Sequence, residues 1–168
     1  YRPFLLDVAR VEIARGSQAT LLGKNTIGGA VNVITQEPDG TQGGNLSFGI
    51  DDSGTVSTEV AFQTPLSDSF QARAAVSYRQ GNGYITNVFD GADVHDTDDL
   101  HGRIVVTGDL ATGTQLRFSA DYNQDNSDGG LWFAPVADAE NLLVDHDFLP
   151  EQSSTNGGVS LQFKHDFG

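Results

Sequence analysis

The chain has 168 residues, enough for one domain with a real core, and carries 23 acidic against 9 basic residues for a formal net charge of −14. That charge repels phosphate backbones, so it disfavours nucleic acid and acidic partners. The absence of cysteine excludes disulfides, thiolate metal sites and cysteine nucleophiles.

The chain opens on YRPFLLDVAR, with no start methionine, basic n-region or apolar h-region, and is therefore expected to be a piece of a longer protein. No run approaches the roughly 18 apolar residues of a spanning helix, so any membrane crossing has to be made by strands. The stretch LLDVARVEIARG mixes charge with Val8, Val11 and Ile13. From Arg15 the chain reads RGSQATLLGKNTIGGAVNVIT, rich in glycine and β-branched residues. On its own this admits three readings: a phosphate-cradling loop, a turn-rich part of a soluble β-domain, or part of something larger. Within it, Ala30 to Thr35 reads as a short strand, and Gly28-Gly29 as a tight turn into it.

After Pro38 the pattern changes to period-2 alternation, which predicts six consecutive strands, each with one apolar and one polar face. Leu46, Phe48 and Ile50 oppose Asn45, Ser47 and Gly49. Val56, Thr58, Val60 and Phe62 oppose Ser57, Glu59, Ala61 and Gln63. Phe70, Ala72, Ala74, Val76 and Tyr78 oppose Gln71, Arg73, Ala75, Ser77 and Arg79. Leu100, Ile104 and Val106 oppose His101, Arg103, Val105 and Thr107. Leu116, Phe118, Ala120 and Tyr122 oppose Gln115, Arg117, Ser119, Asp121 and Asn123. Val159, Leu161, Phe163 and Phe167 oppose Ser160, Gln162 and Lys164, with His165 on the apolar side.

The connections carry an independent signal. Thr64 to Ser69 and Asp109 to Thr114 have the Pro, Asp, Ser and Gly of tight hairpin turns. Gln80 to Asp99 and Gln124 to Gly158 are long, acidic and contain neither lysine nor arginine. In an up-and-down meander both tight turns fall at one end and both long links at the other, the asymmetry of transmembrane barrels.

Chemistry is hard to place on this chain. The phosphate loop fails at Gln18 and Asn25, where glycine and Ser or Thr are needed. Asp121, Asn123 and Asp125 have the spacing of a calcium loop, but Asn126 stands for its turn glycine and Trp132 for its bidentate glutamate. His95, His101, His146 and His165 share no ligand spacing. No catalytic residue, metal site or cofactor is assigned.

The segment Val8 to Pro38 resembles the C-terminal end of the plug domain of TonB-dependent outer-membrane receptors. Val8, Glu12, Arg15, Gly16, Leu21, Gly23, Gly28, Gly29, Asn32, Thr35 and Pro38 match the family pattern, with Ile13, Val31 and Val33 as aliphatic swaps. Ala9, Ser17, Leu22 and Gln36 depart from it. The likeness continues through TPLSDSFQARAAVSYRQGNGYI, which is similar to the family's first barrel hairpins. It implies an all-β fold: the end of a plug over residues 1–38, then the first six strands of a transmembrane antiparallel barrel over 39–168. Barrels of this plugged kind close with about 22 strands, so six alone would leave unpaired edges in lipid and should not fold by themselves.

The resemblance implies active uptake of a scarce, bulky solute, most often a ferric siderophore, across the outer membrane of a Gram-negative bacterium. The partners it implies are outer-membrane lipid, the iron-siderophore ligand and the TonB complex, the last acting on a plug segment upstream of this chain. Arg15, Gly16, Gly23, Gly28, Gly29 and Asn32 are the plug-motif positions, with Arg15 expected to meet a barrel carboxylate on a strand beyond this chain, Glu59 being a weaker candidate. Tyr84, Trp132 and Phe133 in the long links are candidate ligand contacts, since exposed aromatics suit amphipathic solutes; they equally suit packing within their own loops or a place at the membrane interface. The alternative is a secreted or surface β-domain that binds glycan or protein without transport.

Overall fold

The computed structural model describes residues 5–16, 28–128, 141–147 and 152–167. The chain divides into two compact units, Tyr1–Glu37 and Pro38–Gly168. Among the described residues there is no helix.

In the first unit β1 (Val8–Arg15) pairs antiparallel with β2 (Gly29–Thr35). The mixed stretch before Arg15 is thus a strand, because Val11 and Ile13 alternate with Arg10 and Glu12. In register, Val11 faces Val33 and Ile13 faces Val31, so the pair carries one apolar face, and all four residues on it are exposed. A backbone bond from Gln36 N to Asp7 O, 2.8 Å, closes the open end.

The second unit is built on six long strands. They are β3 (Gly43–Ile50), β4 (Val56–Pro65), β5 (Phe70–Gly81), β8 (Thr97–Ala111), β9 (Thr114–Asp125) and β11 (Ser154–His165). All pair antiparallel with their sequence neighbours, in the order β11-β9-β8-β5-β4-β3. The alternation of the sequence sets the two faces of this meander. Phe48, Val60, Phe62, Val76, Ile104 and Leu161 are exposed, while Phe118 is half-buried. On the opposite face Glu59, Arg73, Arg103 and Arg117 are half-buried, and small residues among them, Ala61, Ala75, Val105 and Ser119, are buried. Large apolar groups outside and small or polar groups inside is the reverse of a water-soluble sheet.

The turns Leu66–Ser69 and Thr112–Gly113 join strands at one end. The second is tighter than its sequence suggests, since β8 runs through Asp109 to Ala111 before turning. The two long links at the other end are not plain loops. They contribute β6 (Ile85–Asn87), β7 (Asp93–Val94) and β10 (Leu143–Val144), a small sheet in the order β10-β6-β7. β10 lies parallel to β6, with Val144 opposite Asn87. Strands this short have no readable period.

Candidate functional site

Of the plug-motif residues, Arg15, Gly16, Gly28 and Gly29 lie at one end of the hairpin and Asn32 at its middle. Arg15 ends β1 directly opposite Gly29. Gly29 has φ +132, and a Cβ there would sit 2.5 Å from the carbonyl oxygen of Ala14. Close approach of the two backbones therefore requires glycine. Gly28 differs from the expectation for the pair: its φ is ordinary, and among the described residues a Cβ there would meet nothing within 4 Å. Gly16 also has a positive φ, +84. Asn32 lies across from Glu12 and its Nδ2 donates to Glu12 Oε2 at 3.3 Å, while Arg10 Nε donates to Oε1 at 2.8 Å. The Arg10 bond, then that from Asn32, holds the Glu12 carboxyl below the usual carboxylate range. Arg15 is exposed. Gly23 lies outside the described residues.

At the far end of the second unit the long links are tied to each other by buried polar contacts. Asn87 is fully buried. Its Nδ2 donates to Asp90 Oδ1 at 3.0 Å and to the His146 carbonyl at 2.9 Å, and its Oδ1 accepts from His146 N at 3.0 Å. Val94 and Val144 are buried beside it in the small sheet. A second tie joins the start of β8 to the end of β9. His95 N donates to Asp128 Oδ2 at 2.7 Å, Asp128 N donates to Asp96 Oδ1, and Asp98 N donates to Ser127 Oγ at 3.0 Å. Burial, with Asp96 close by, pushes the Asp128 carboxyl above the usual range.

Of the three candidate aromatics, Tyr84 is 45% exposed and meets the His95 ring edge-on at 5.2 Å. Trp132 and Phe133 lie outside the described residues. Val88 and Phe89, exposed next to Asn87, are residues that sequence reasoning misses. Their signal, an apolar pair ahead of an Asp-Gly turn, is indistinguishable from an ordinary loop until the small sheet places it.

The polar face of the large sheet is cross-linked rather than open. Arg73 Nη1 donates to Gln63 Oε1 at 3.0 Å, and Arg103 Nη1 lies 3.5 Å from Asp121 Oδ1. His101 sits between Asn123 Oδ1 at 2.5 Å and Asp99 Oδ1 at 2.7 Å. Asp121 and Asn123, two of the residues with calcium-loop spacing, are thus occupied on the strand face. Among the described residues no cluster of His, Cys, Asp and Glu could hold a metal.

No family model matches the chain. Individual proteins do. It is 33% identical over 118 residues to the pesticin receptor of Yersinia pestis, a match covering 70% of this chain and 16% of that protein. It is 32% identical over 98 residues to the vitamin B12 transporter BtuB of Vibrio cholerae, covering 58% of this chain and 16% of the relative. Among solved structures, the ferric yersiniabactin uptake receptor FyuA of Yersinia pestis superposes with a TM-score of 0.87 at 22% identity, over 96% of this chain and 26% of that one. The ferripyoverdine receptor of Pseudomonas aeruginosa gives 0.74 at 17% identity, over 95% and 22%. The chain thus spans about a sixth of the length of the curated relatives it matches. Its inverted six-stranded meander, its glycine-dependent hairpin and these likenesses agree: the chain belongs to the TonB-dependent receptors of the Gram-negative outer membrane and corresponds to one part of such a receptor.

Proposed function

We propose that residues 1–38 are the end of a plug and residues 39–168 the first strands of the barrel around it, in a transporter that takes up a scarce, bulky solute with energy from the TonB complex. A ferric siderophore is the first candidate. TonB acts on a plug segment upstream of this chain. The observation that carries the reading is the inverted sheet, whose exposed face bears Phe48, Phe62, Ile104 and Leu161. Arg or Lys at the bilayer midplane on such a face costs about 2–4 kcal/mol, and all of its arginines lie on the other side. A secreted β-domain would leave that aromatic face in water.

The ligand enters at the end that carries the long links. Asp90, Asp93, Asp96, Asp145 and Asp147 stand there without a lysine or arginine in either link. Their field repels a strongly anionic chelate and favours a neutral or cationic one. The names of the relatives, which include a ferric yersiniabactin receptor and a vitamin B12 transporter, support uptake of a large chelate and not enzymatic turnover.

The test follows labelled ferric siderophores of different net charge, cobalamin and oligosaccharides into cells carrying the full-length receptor, with and without TonB. Saturable, TonB-dependent entry of a neutral or cationic iron complex is expected. Entry of small solutes of every kind without TonB would mean a porin. Saturable oligosaccharide uptake would keep the transporter and discard iron.

A further inference from the structure

The small sheet of the long links carries an apolar surface that neither its own core nor lipid accounts for. Asn87, Val94 and Val144 are buried in it, whereas Tyr84, Val88, Phe89 and Leu142 are exposed, Phe89 by 63%. Their backbones are fastened to the buried residues. The turn after β6 is closed by Asn87 N donating to Ala92 O at 2.8 Å and Gly91 N donating to Asn87 O at 2.7 Å. Ala92 N adds a bond to Asp90 Oδ1 at 3.0 Å. Val88 N donates to Val144 O at 2.8 Å, and Thr86 N donates to Leu142 O at 2.9 Å. Leu142 is held at φ +56, a conformation bulky residues rarely adopt and one that surrounding contacts have to enforce. Lipid does not reach this surface along the strands. On the apolar face of the large sheet Tyr78 stands opposite Leu100, and the next pair outward on that face is Gln80 opposite Asp98, a polar row that closes the belt before the links begin.

We propose that Tyr84, Val88, Phe89 and Leu142 form a contact patch for the aromatic or apolar part of a neutral or cationic solute, with Phe89 as its specificity-determining residue. The inference deepens the transporter reading above and rests on it. Charge selects the occupant. Asp90, Asp93, Asp145 and Asp147 are exposed on the same links, and neither link has a lysine or arginine, so a phosphorylated lipid headgroup or an anionic chelate is repelled. A cation is drawn both by these carboxylates and by the faces of the two rings. Size narrows the choice further. Four side chains fall far short of the roughly 20–30 residues a side of a stable protein–protein interface, but they match the few anchors of a small-molecule site. Because the turn and Leu142 share one hydrogen-bonded frame with buried Asn87, the patch binds without first being ordered, which preserves affinity.

The test uses the full-length receptor in lipid nanodiscs, with isotope-labelled valine and leucine methyl groups, and two water-soluble probes, benzyltrimethylammonium and benzenesulfonate. The methyl signals of Val88 and Leu142 should shift with the cation and not with the sulfonate, while those of Val60, Val76 and Leu161 on the lipid face stay in place. Phe89→Ala should weaken binding of the cation about fivefold, the scale of one cation–π contact. Equal response to both probes, or response to neither, would overturn the patch. So would failure of a soluble paramagnetic agent to broaden the Val88 and Leu142 signals, which would mean that another part of the receptor covers them. In cells, two neutral ferric trihydroxamates differing by one aryl group extend the test to uptake. Phe89→Ala should raise KM for the aryl-bearing chelate on the order of tenfold, the scale of truncating an anchoring aromatic, with its maximal rate unchanged and the other chelate unaffected. An equal rise for both would overturn the role of Phe89. If neither chelate enters in a TonB-dependent way, the transporter reading falls for this class of solute, and the methyl response decides the patch alone.

Discussion

Asn87 grips the backbone of His146 from both sides, its Nδ2 donating to the carbonyl at 2.9 Å and its Oδ1 accepting from the N–H at 3.0 Å. The two residues are 59 positions apart, so this side chain adds to the parallel β6–β10 pairing that joins the two long links. In Asn87→Ala each of these half-buried backbone groups loses this bond, about 1 kcal/mol apiece. Residues 85–94 and 143–146 should then exchange amide hydrogens faster while β4, β5 and β8 keep their protection. Ligand affinity should fall and receptor abundance should not. Equal loss of protection in the large strands would show that the link sheet supports the barrel and not only the mouth.

The two faces of the sheet predict opposite environments. Spin labels at Phe48, Phe62 and Leu161 in the full receptor should be quenched by lipid-phase oxygen, and labels at Glu59, Arg73 and Arg117 should be protected. The neighbouring pair Arg117 and Phe118 is the sharpest comparison because only the pleat separates them. Stronger quenching at position 117 than at 118 would invert the assignment. Phe62→Arg should lower assembly by the cost of about 2–4 kcal/mol for a cation facing lipid, whereas Gln63→Arg next to it should assemble.

The large sheet is legible in the sequence because alternation is local and each strand repeats it. What is not legible depends on partners far along the chain. β1 carries a clean alternation of Val11 and Ile13 against Arg10 and Glu12, yet its charge hides it until Val31 and Val33 come opposite. β6, β7 and β10 span two or three residues each, too few for a period. The glycine motif can be matched by position, but which glycine is indispensable is a matter of backbone geometry. The sequence treats Gly28 and Gly29 alike, and the Ala14 carbonyl separates them.

That separation makes a prediction. Gly29→Val forces a β-branched residue to positive φ and drives its Cβ against Ala14 O. Strain of this sort costs roughly 1–3 kcal/mol before the clash is counted. Gly28→Val meets nothing among the described residues and should stay within about 0.5 kcal/mol of the parent. Protease resistance of residues 1–37 in the assembled receptor, and TonB-dependent uptake, should fall in the first variant and hold in the second. Equal effects would mean that something other than the hairpin closure governs this turn.

Acidification should act in opposite directions on the two carboxylates that tie down irregular segments. Asp128 has its carboxyl raised in the folded state by burial and by Asp96. The folded form therefore binds the proton more tightly than the unfolded chain. The net contribution of Asp128 to stability is fully present below the ordinary aspartate range, near pH 4, and is lost as pH rises through the raised value, while the bond from His95 N works the other way and favours the ionised carboxylate. Asp39 is the reverse: bonds from Thr41 and Gln63 lower its carboxyl, so these bonds, which Oδ1 accepts from Thr41 and from Gln63, are intact above the ordinary range and loosen as pH falls through the lowered value. Amide exchange, corrected for its intrinsic pH dependence, should become slower at Asp98, whose N–H is bonded to Ser127 beside Asp128, and faster at Thr41 on going from pH 7 toward pH 3. Asp128→Asn, which cannot ionise, should remove the pH dependence at Asp98 and leave that at Thr41. Parallel changes at both amides would point to general acid loosening of the receptor and away from these two groups.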